Sequence, residues 1–315
     1  RLSWELTGNR NWNRLTWIKT VSDFQTTLST SADAVNLTLE RLLKMHDDPE
    51  AELVEAMRYA VLDGGKRIRP FLSLAAAGLF NVESQRALRV AAAIEMVHCY
   101  SLVHDDLPAM DDDELRRGQP TCHIKFGEAT AILAGDALLT KAFEVLAGDE
   151  THPDPHVRSD LVIALARAAG SEGMVGGQML DLIAETETLN MPEITRLQRM
   201  KTGMLIAVAC EAGAILGKAT DGARHALHAY AHDLGLAFQI ADDLLDVEGD
   251  EKTVGKKTGK DEEAGKATFV SLLGVERARE QAELLVAQAC EHLDLFGEKA
   301  DPLRELAAFV IKRRA

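Results

Sequence analysis

From Ser31 onward almost no stretch alternates apolar and polar residues with the period of two that a half-buried strand needs. Apolar residues instead recur with the 3.6-residue period of a helix nearly everywhere, which confines the chain to an all-α fold. The Ala-rich stretches 87–93 and 207–214 favour helix intrinsically, and no Val/Ile/Thr run bounded by turn residues reads as a strand. Pro70, Pro108, Pro120, Pro153, Pro155, Pro192 and Pro302 fall at helix starts or between helices, giving roughly ten helices, several longer than about twenty residues. No internal repeat and no low-complexity linker divides the 315 residues, so a single helical domain is expected.

Charge narrows the function. With 35 Lys+Arg against 50 Asp+Glu, the net charge is −15, which argues against nucleic acid or an anionic membrane as partner. Even the most apolar stretch, 206–216, is interrupted by Glu211, so no membrane insertion is expected. Cys99, Cys122, Cys210 and Cys290 form no C-x-x-C pair and no regular spacing, which points to a reduced, cytoplasmic protein. The first twenty residues stand apart. They carry Arg1, Arg10, Arg14 and Lys19 against Glu5, and all three tryptophans, Trp4, Trp12 and Trp17. Residues 1–20 are read as an appended or upstream segment and 21–315 as the domain, whose charge is then −18.

Two aspartate clusters carry the chemistry. The first runs His98, Cys99, Tyr100, Ser101, Leu102, Val103, His104, Asp105, Asp106, and continues to Asp111, Asp112, Asp113 and Glu114, with Arg116-Arg117-Gly118 close behind. Carboxylates this dense repel by about 4 kcal/mol per close pair at an effective dielectric near 20, so something must compensate. Pro108 should end the helix carrying Asp105 and let Asp111 return towards the same point. In the second cluster Gln239, Asp242, Asp243 and Asp246 stand at i, i+3, i+4 and i+7, on one helix face. A calcium loop starting at Asp246 fails because Glu251 and Lys257 occupy its Gly and Glu positions. The 249–257 stretch has one residue too many for a phosphate-binding P-loop and no strand before it. Carboxylates without His or Cys favour Mg²⁺, and the group that completes such a site is a diphosphate.

Cations answer these clusters in short motifs: Gly64-Gly65-Lys66-Arg67-Ile68-Arg69-Pro70, Arg116-Arg117, Lys201-Thr202, and Lys256-Lys257 with Lys260 and Lys266. Lys66 and Arg69, three apart and beside two glycines, could grip one anion with charge-assisted donors. Together with Gly176-Gly177-Gln178, Asp181 and the run from Phe238 to Asp246, these motifs resemble the trans-isoprenyl diphosphate synthases, in that family's order, from about residue 25 to 315. The likeness is greatest to the bacterial-type farnesyl diphosphate synthases.

The resemblance implies an isoprenoid-synthase helical bundle around a central cavity, a homodimer, and head-to-tail prenyl transfer. Isopentenyl diphosphate would add to dimethylallyl and then geranyl diphosphate, giving farnesyl diphosphate. Three Mg²⁺ ions would join the allylic diphosphate to Asp105, Asp111 and Asp242, with Asp106 and Asp246 in support. Arg116, Lys201 and Lys256 would neutralise the leaving diphosphate. Gly65, Lys66, Arg69, His98 and Arg117 would hold isopentenyl diphosphate. Backbone carbonyls near a Lys201-Thr202 kink, the Thr202 hydroxyl and the Gln239 amide would stabilise the allylic cation, with Gly203 permitting the distortion. The released diphosphate would take the final proton, so no catalytic His is needed. Tyr100, five residues before Asp105 and about 7.5 Å below it, with Ser101 beside it, would floor the cavity at fifteen carbons. Geranyl and geranylgeranyl diphosphate synthases and a non-catalytic synthase subunit are the alternatives, and a terpene cyclase would need no second diphosphate cradle.

Overall fold

Helix follows helix along nearly the whole chain. A computed structural model describes residues 21–62, 64–187, 189–248 and 268–312. In order they form α1 (Val21–Leu42), α2 (Ala51–Leu62), α3 (Ile68–Leu79), α4 (Ser84–Asp105), α5 (Cys122–Phe126), α6 (Glu128–Ala147) and α7 (Pro155–Ala169). There follow α8 (Met174–Ala184), α9 (Met191–Gln198), α10 (Met204–Leu216), α11 (Asp221–Glu248), α12 (Phe269–Leu273), α13 (Val275–His292) and α14 (Asp301–Lys312). The fold is all-α as expected. These fourteen helices exceed the roughly ten expected because pieces as short as α5 and α12, five residues each, are too brief to show a period.

One departure is a two-residue hairpin, β1 (Leu115–Arg116) against β2 (Gln119–Pro120), in antiparallel register with Arg116 opposite Gln119. Its turn residues Arg117 and Gly118 have φ of 53° and 79°, the pair of positive values that a tight two-residue hairpin turn demands.

The core lies around α4 and α10. Residues 90–97 of α4 are all buried, so this helix is enclosed on every side, and α6, α3 and α1 pack against it. Nearly all of α10 is likewise buried, between α3, α7 and α11. Proline and cap positions follow from local chemistry. Asp154 caps α7 ahead of Pro155, and Asn190 and Glu193 form a reciprocal capping box at α9.

Between α9 and α10 the helix widens into a π-turn, Arg199–Gly203, in which the Met204 N–H donates to the Arg199 carbonyl five residues back. The Met200 carbonyl thereby loses the donor that an α-helix would give it. Gly203 does not supply this distortion, since its φ of −64° and ψ of −39° are ordinary helix values. A Cβ on Gly203 would meet nothing closer than 3.7 Å, whereas a Cβ on Gly235 of α11 would lie 3.3 Å from the Gly203 Cα, so it is Gly235 that lets α11 approach the turn. On the other side a Cβ on Gly177 of α8 would stand 2.2 Å from the Lys201 nitrogen, which closes the gap between α8 and the π-turn to backbone contact. Gly177→Ala is therefore expected to destabilise the protein by about 2–3 kcal/mol in denaturant unfolding, and Gly203→Ala by less than about 1 kcal/mol. Equal effects at the two positions would contradict this packing.

Candidate active site

Helix α4 ends at Asp105, Asp106 caps it, and the chain reverses so that the Asp111 N–H donates to the Asp105 carbonyl at 2.8 Å. The turn at Pro108 thus returns Asp111 to Asp105, as the sequence implies. The Asp105 carboxyl is pushed up to about 6: burial is the main cause, and Asp111 and Asp106 add to it against Lys201 and Arg116. Asp106 behaves differently. It is 3% exposed, and both its oxygens accept from Arg116 Nε at 2.9 Å. Arg116 is thus engaged before any diphosphate arrives, and a metal ion at Asp106 would have to share it with that guanidinium.

On α11, Asp242 and Asp246 remain partly exposed while Asp243 is 5% exposed and accepts the Phe269 N–H at 2.9 Å, at the start of α12. The four-residue face read from spacing therefore loses Asp243, which holds α12 to α11. Gln239 Nε2 donates to Gln198 Oε1 at the edge of the π-turn. The other residues of the turn are fixed too: Lys201 Nζ pairs with Asp181 Oδ2 at 2.8 Å, and Thr202 follows, partly buried. Lys256 and the 255–261 motif lie outside the described residues.

A cationic cradle faces these carboxylates. Arg69 Nη1 lies 3.3 Å from His98 Nε2, and since a guanidinium can only donate, Nε2 must accept and the ring proton sits on Nδ1. Burial holds the His98 pKa well below the usual imidazole value, and the charges of Arg69, Arg117, Arg116 and Arg67 push the same way. Burial also lowers the Arg69 pKa, opposed by Glu95 and by Asp242, whose charge reaches it from α11. The Arg69 Nε is buried without a hydrogen-bond partner, a donor suited to an anion. Arg117 Nη1 donates to the Gly64 carbonyl at 2.8 Å, and its guanidinium lies where a Cβ on Gly65 would be, 2.8 Å from Nη2. Gly65, with φ of 100°, is required by both the backbone and that neighbour. Lys66 Nζ stands 5.8 Å from the Phe309 ring of α14. Below Asp105, Tyr100 is 6% exposed with its ring edge-on to His104, and the Ser101 hydroxyl donates to the His98 carbonyl.

Three participants had no assigned role in the sequence: Arg67, Glu95 and Asp181. A lone Glu inside the apolar stretch 90–97 was the available signal for Glu95.

The profile of the polyprenyl synthetase family matches residues 50–296. The chain belongs to that family. A farnesyl diphosphate synthase of Escherichia coli is 45% identical over 298 residues, covering 92% of this chain and 99% of that protein. Geranylgeranyl pyrophosphate synthase 11 of Arabidopsis thaliana is 41% identical, over 92% and 82%. The crystal structure of an FPP/GFPP synthase from Zymomonas mobilis superposes with a TM-score of 0.84 at 50% identity, covering 93% of this chain and 100% of that one.

The donor set fits magnesium. Asp105, Asp111, Asp242 and Asp246 offer only oxygen, and no three His, Cys, Asp or Glu among the described residues converge into a ready-made cage. That suits a hard cation taking much of its coordination from phosphate and water. Without the cation Asp105 carries a cost. About one pH unit below its ordinary value it is protonated folded or unfolded and costs nothing; between its ordinary value and about 6 the unfolded chain ionises first, and the penalty grows until it is complete above pH 6. Asp105→Asn should therefore stabilise the metal-free protein at pH 7.5 by about 1 kcal/mol after allowance for partial exposure, roughly 2–4 °C in a thermal melt, with the gain shrinking through pH 4 and gone about one pH unit below the ordinary carboxyl value. A gain independent of pH would contradict this assignment.

Proposed function

We propose that this polyprenyl synthetase is a Mg²⁺-dependent farnesyl diphosphate synthase, acting as a homodimer on isopentenyl diphosphate with dimethylallyl and then geranyl diphosphate. The observation that carries the proposal is the opposition of two diphosphate cradles. One is acidic, built on Asp105, Asp111, Asp242 and Asp246, and one is cationic, built on Lys66, Arg69, His98 and Arg117. One substrate needs a metal bridge; the other needs only donors.

Magnesium ions, when bound, supply the positive charge that makes the allylic diphosphate a good leaving group. Lys201, oriented by Asp181, donates to that diphosphate as the C–O bond breaks, and Arg116 and Lys256 add to the neutralisation. The allylic cation is stabilised by π-turn carbonyls such as that of Met200, by the Thr202 hydroxyl, and by the amide oxygen of Gln239, whose Nε2 is engaged with Gln198. The isopentenyl double bond attacks from the cationic side. The departing diphosphate then removes a proton from the condensed product.

Tyr100 supports a fifteen-carbon product, because a buried ring below Asp105 limits the chain that fits. Product chromatography with labelled isopentenyl diphosphate is expected to give farnesyl diphosphate from the wild type and longer products from Tyr100→Ala. Wild-type product of twenty carbons or more would overturn the floor, and absence of Mg²⁺-dependent diphosphate release would overturn catalysis.

Dimerisation is supported by Ile124 on α5 and Ile132 and Leu133 on α6, which are 51%, 44% and 56% exposed. Leu133→Arg should shift sedimentation towards the monomer; an unchanged dimer would place the interface elsewhere. Four free thiols, three of them buried, agree with a cytoplasmic setting, and no described helix is long and apolar enough to cross a membrane.

A further inference from the structure

The motif from Gly64 to Pro70 holds three basic residues, and the middle one never reaches the cradle. Arg67 is almost wholly buried, and each of its nitrogens is used by a different helix. Nε donates to Asn36 Oδ1 of α1 at 3.0 Å, Nη1 to Glu95 Oε1 of α4 at 2.7 Å, and Nη2 to the Val61 carbonyl of α2. Its backbone is left-handed, φ 51° and ψ 42°, a conformation that a non-glycine residue keeps only when its surroundings hold it there.

Glu95 in turn lies within the fully enclosed stretch of α4, where a carboxylate is tolerable only with its cation in place. Three residues further along the same face stands His98, which contacts Arg69. The loop and α3 therefore join α4 by two rungs about one helical turn apart: Arg67 to Glu95, and Arg69 to His98. The first rung fixes the left-handed turn from which α3 starts, and that start sets where Arg69, with its unpartnered buried Nε, points.

We infer that Arg67, Glu95 and Asn36 are positioning residues for the cationic cradle, setting the affinity for isopentenyl diphosphate while leaving the allylic site untouched. The inference rests on the function proposed above. The acidic cradle does not lean on this rung, since Asp105 and Asp111 are fixed to each other, Lys201 to Asp181 and Gln239 to Gln198.

The test is steady-state kinetics with isopentenyl and geranyl diphosphates varied separately. The double variant Arg67→Met with Glu95→Leu replaces the ion pair by apolar groups of similar bulk, which a core often accepts without loss of stability. It is expected to lower the melting temperature somewhat, because the Val61 carbonyl and Asn36 Oδ1 lose their donor, to keep the KM for geranyl diphosphate within about twofold, and to raise the KM for isopentenyl diphosphate about tenfold or more, with kcat at saturation little changed. Asn36→Ala, which removes one bond and leaves the ion pair, should raise the same KM by about threefold, and it carries the test if the double variant fails to fold. An unchanged isopentenyl KM, or both KM values rising together, overturns the inference. A wild-type protein that turns over neither substrate overturns the functional reading instead.

Discussion

Four ionisable side chains stand on one face of α4, at Glu95, His98, Asp105 and Asp106, and each needs an answer in a helix whose middle is closed to water. Glu95 has Arg67, His98 stays neutral beside Arg69, and Asp106 has Arg116. At Asp105 burial, reinforced by Asp111 and Asp106 and only partly opposed by Lys201 and Arg116, pushes the carboxyl up to about 6. The site is thus organised as a set of satisfied charges around one deliberate deficit. On the proposed function, a divalent cation brought by a diphosphate would remove that deficit, so that substrate binding would repair an instability of the empty protein.

The same helix face also spaces the two proposed cradles. His98 of the cationic cradle and Asp105 of the acidic one are seven residues apart, about 10 Å along a helix. The opposite wall comes from the π-turn, brought close to α8 by Gly177 and to α11 by Gly235, where a Cβ would press on the backbone of Lys201 and of Gly203 respectively. Asp105 at the end of α4, Arg69 in the first turn of α3 and Asp242 and Asp246 on α11 are held by helices, while Asp111, Arg116 and Arg117 are held by the turn and hairpin that follow α4.

Much of this was legible in the sequence wherever the signal was local. Helical period gave the class, and Pro108 gave the reversal that joins Asp111 to Asp105. What was not legible depended on partners far along the chain. Asp243 looks like its neighbours on a helical wheel, yet Phe269, 26 residues away, takes it out of the site. Arg116 reads as a diphosphate ligand until Asp106 is seen folded back onto it. Gly203 invites an explanation by backbone freedom, but its φ is ordinary and a Cβ there would meet only ordinary contacts; the close approach of α11 depends on Gly235. Arg67 is indistinguishable in sequence from Lys66 and Arg69; only the fold shows it buried while Lys66 is exposed and Arg69 partly so.

The central claim, that one diphosphate is held by metal and carboxylates and the other by protein cations alone, is tested most directly by titration calorimetry. Isopentenyl diphosphate and a non-ionising allylic diphosphate analogue would each be titrated with and without Mg²⁺. The account predicts isopentenyl binding of similar strength in both conditions and allylic binding only when Mg²⁺ is present. Equal dependence on Mg²⁺ for the two ligands, or tight allylic binding without it, would contradict the division of the site.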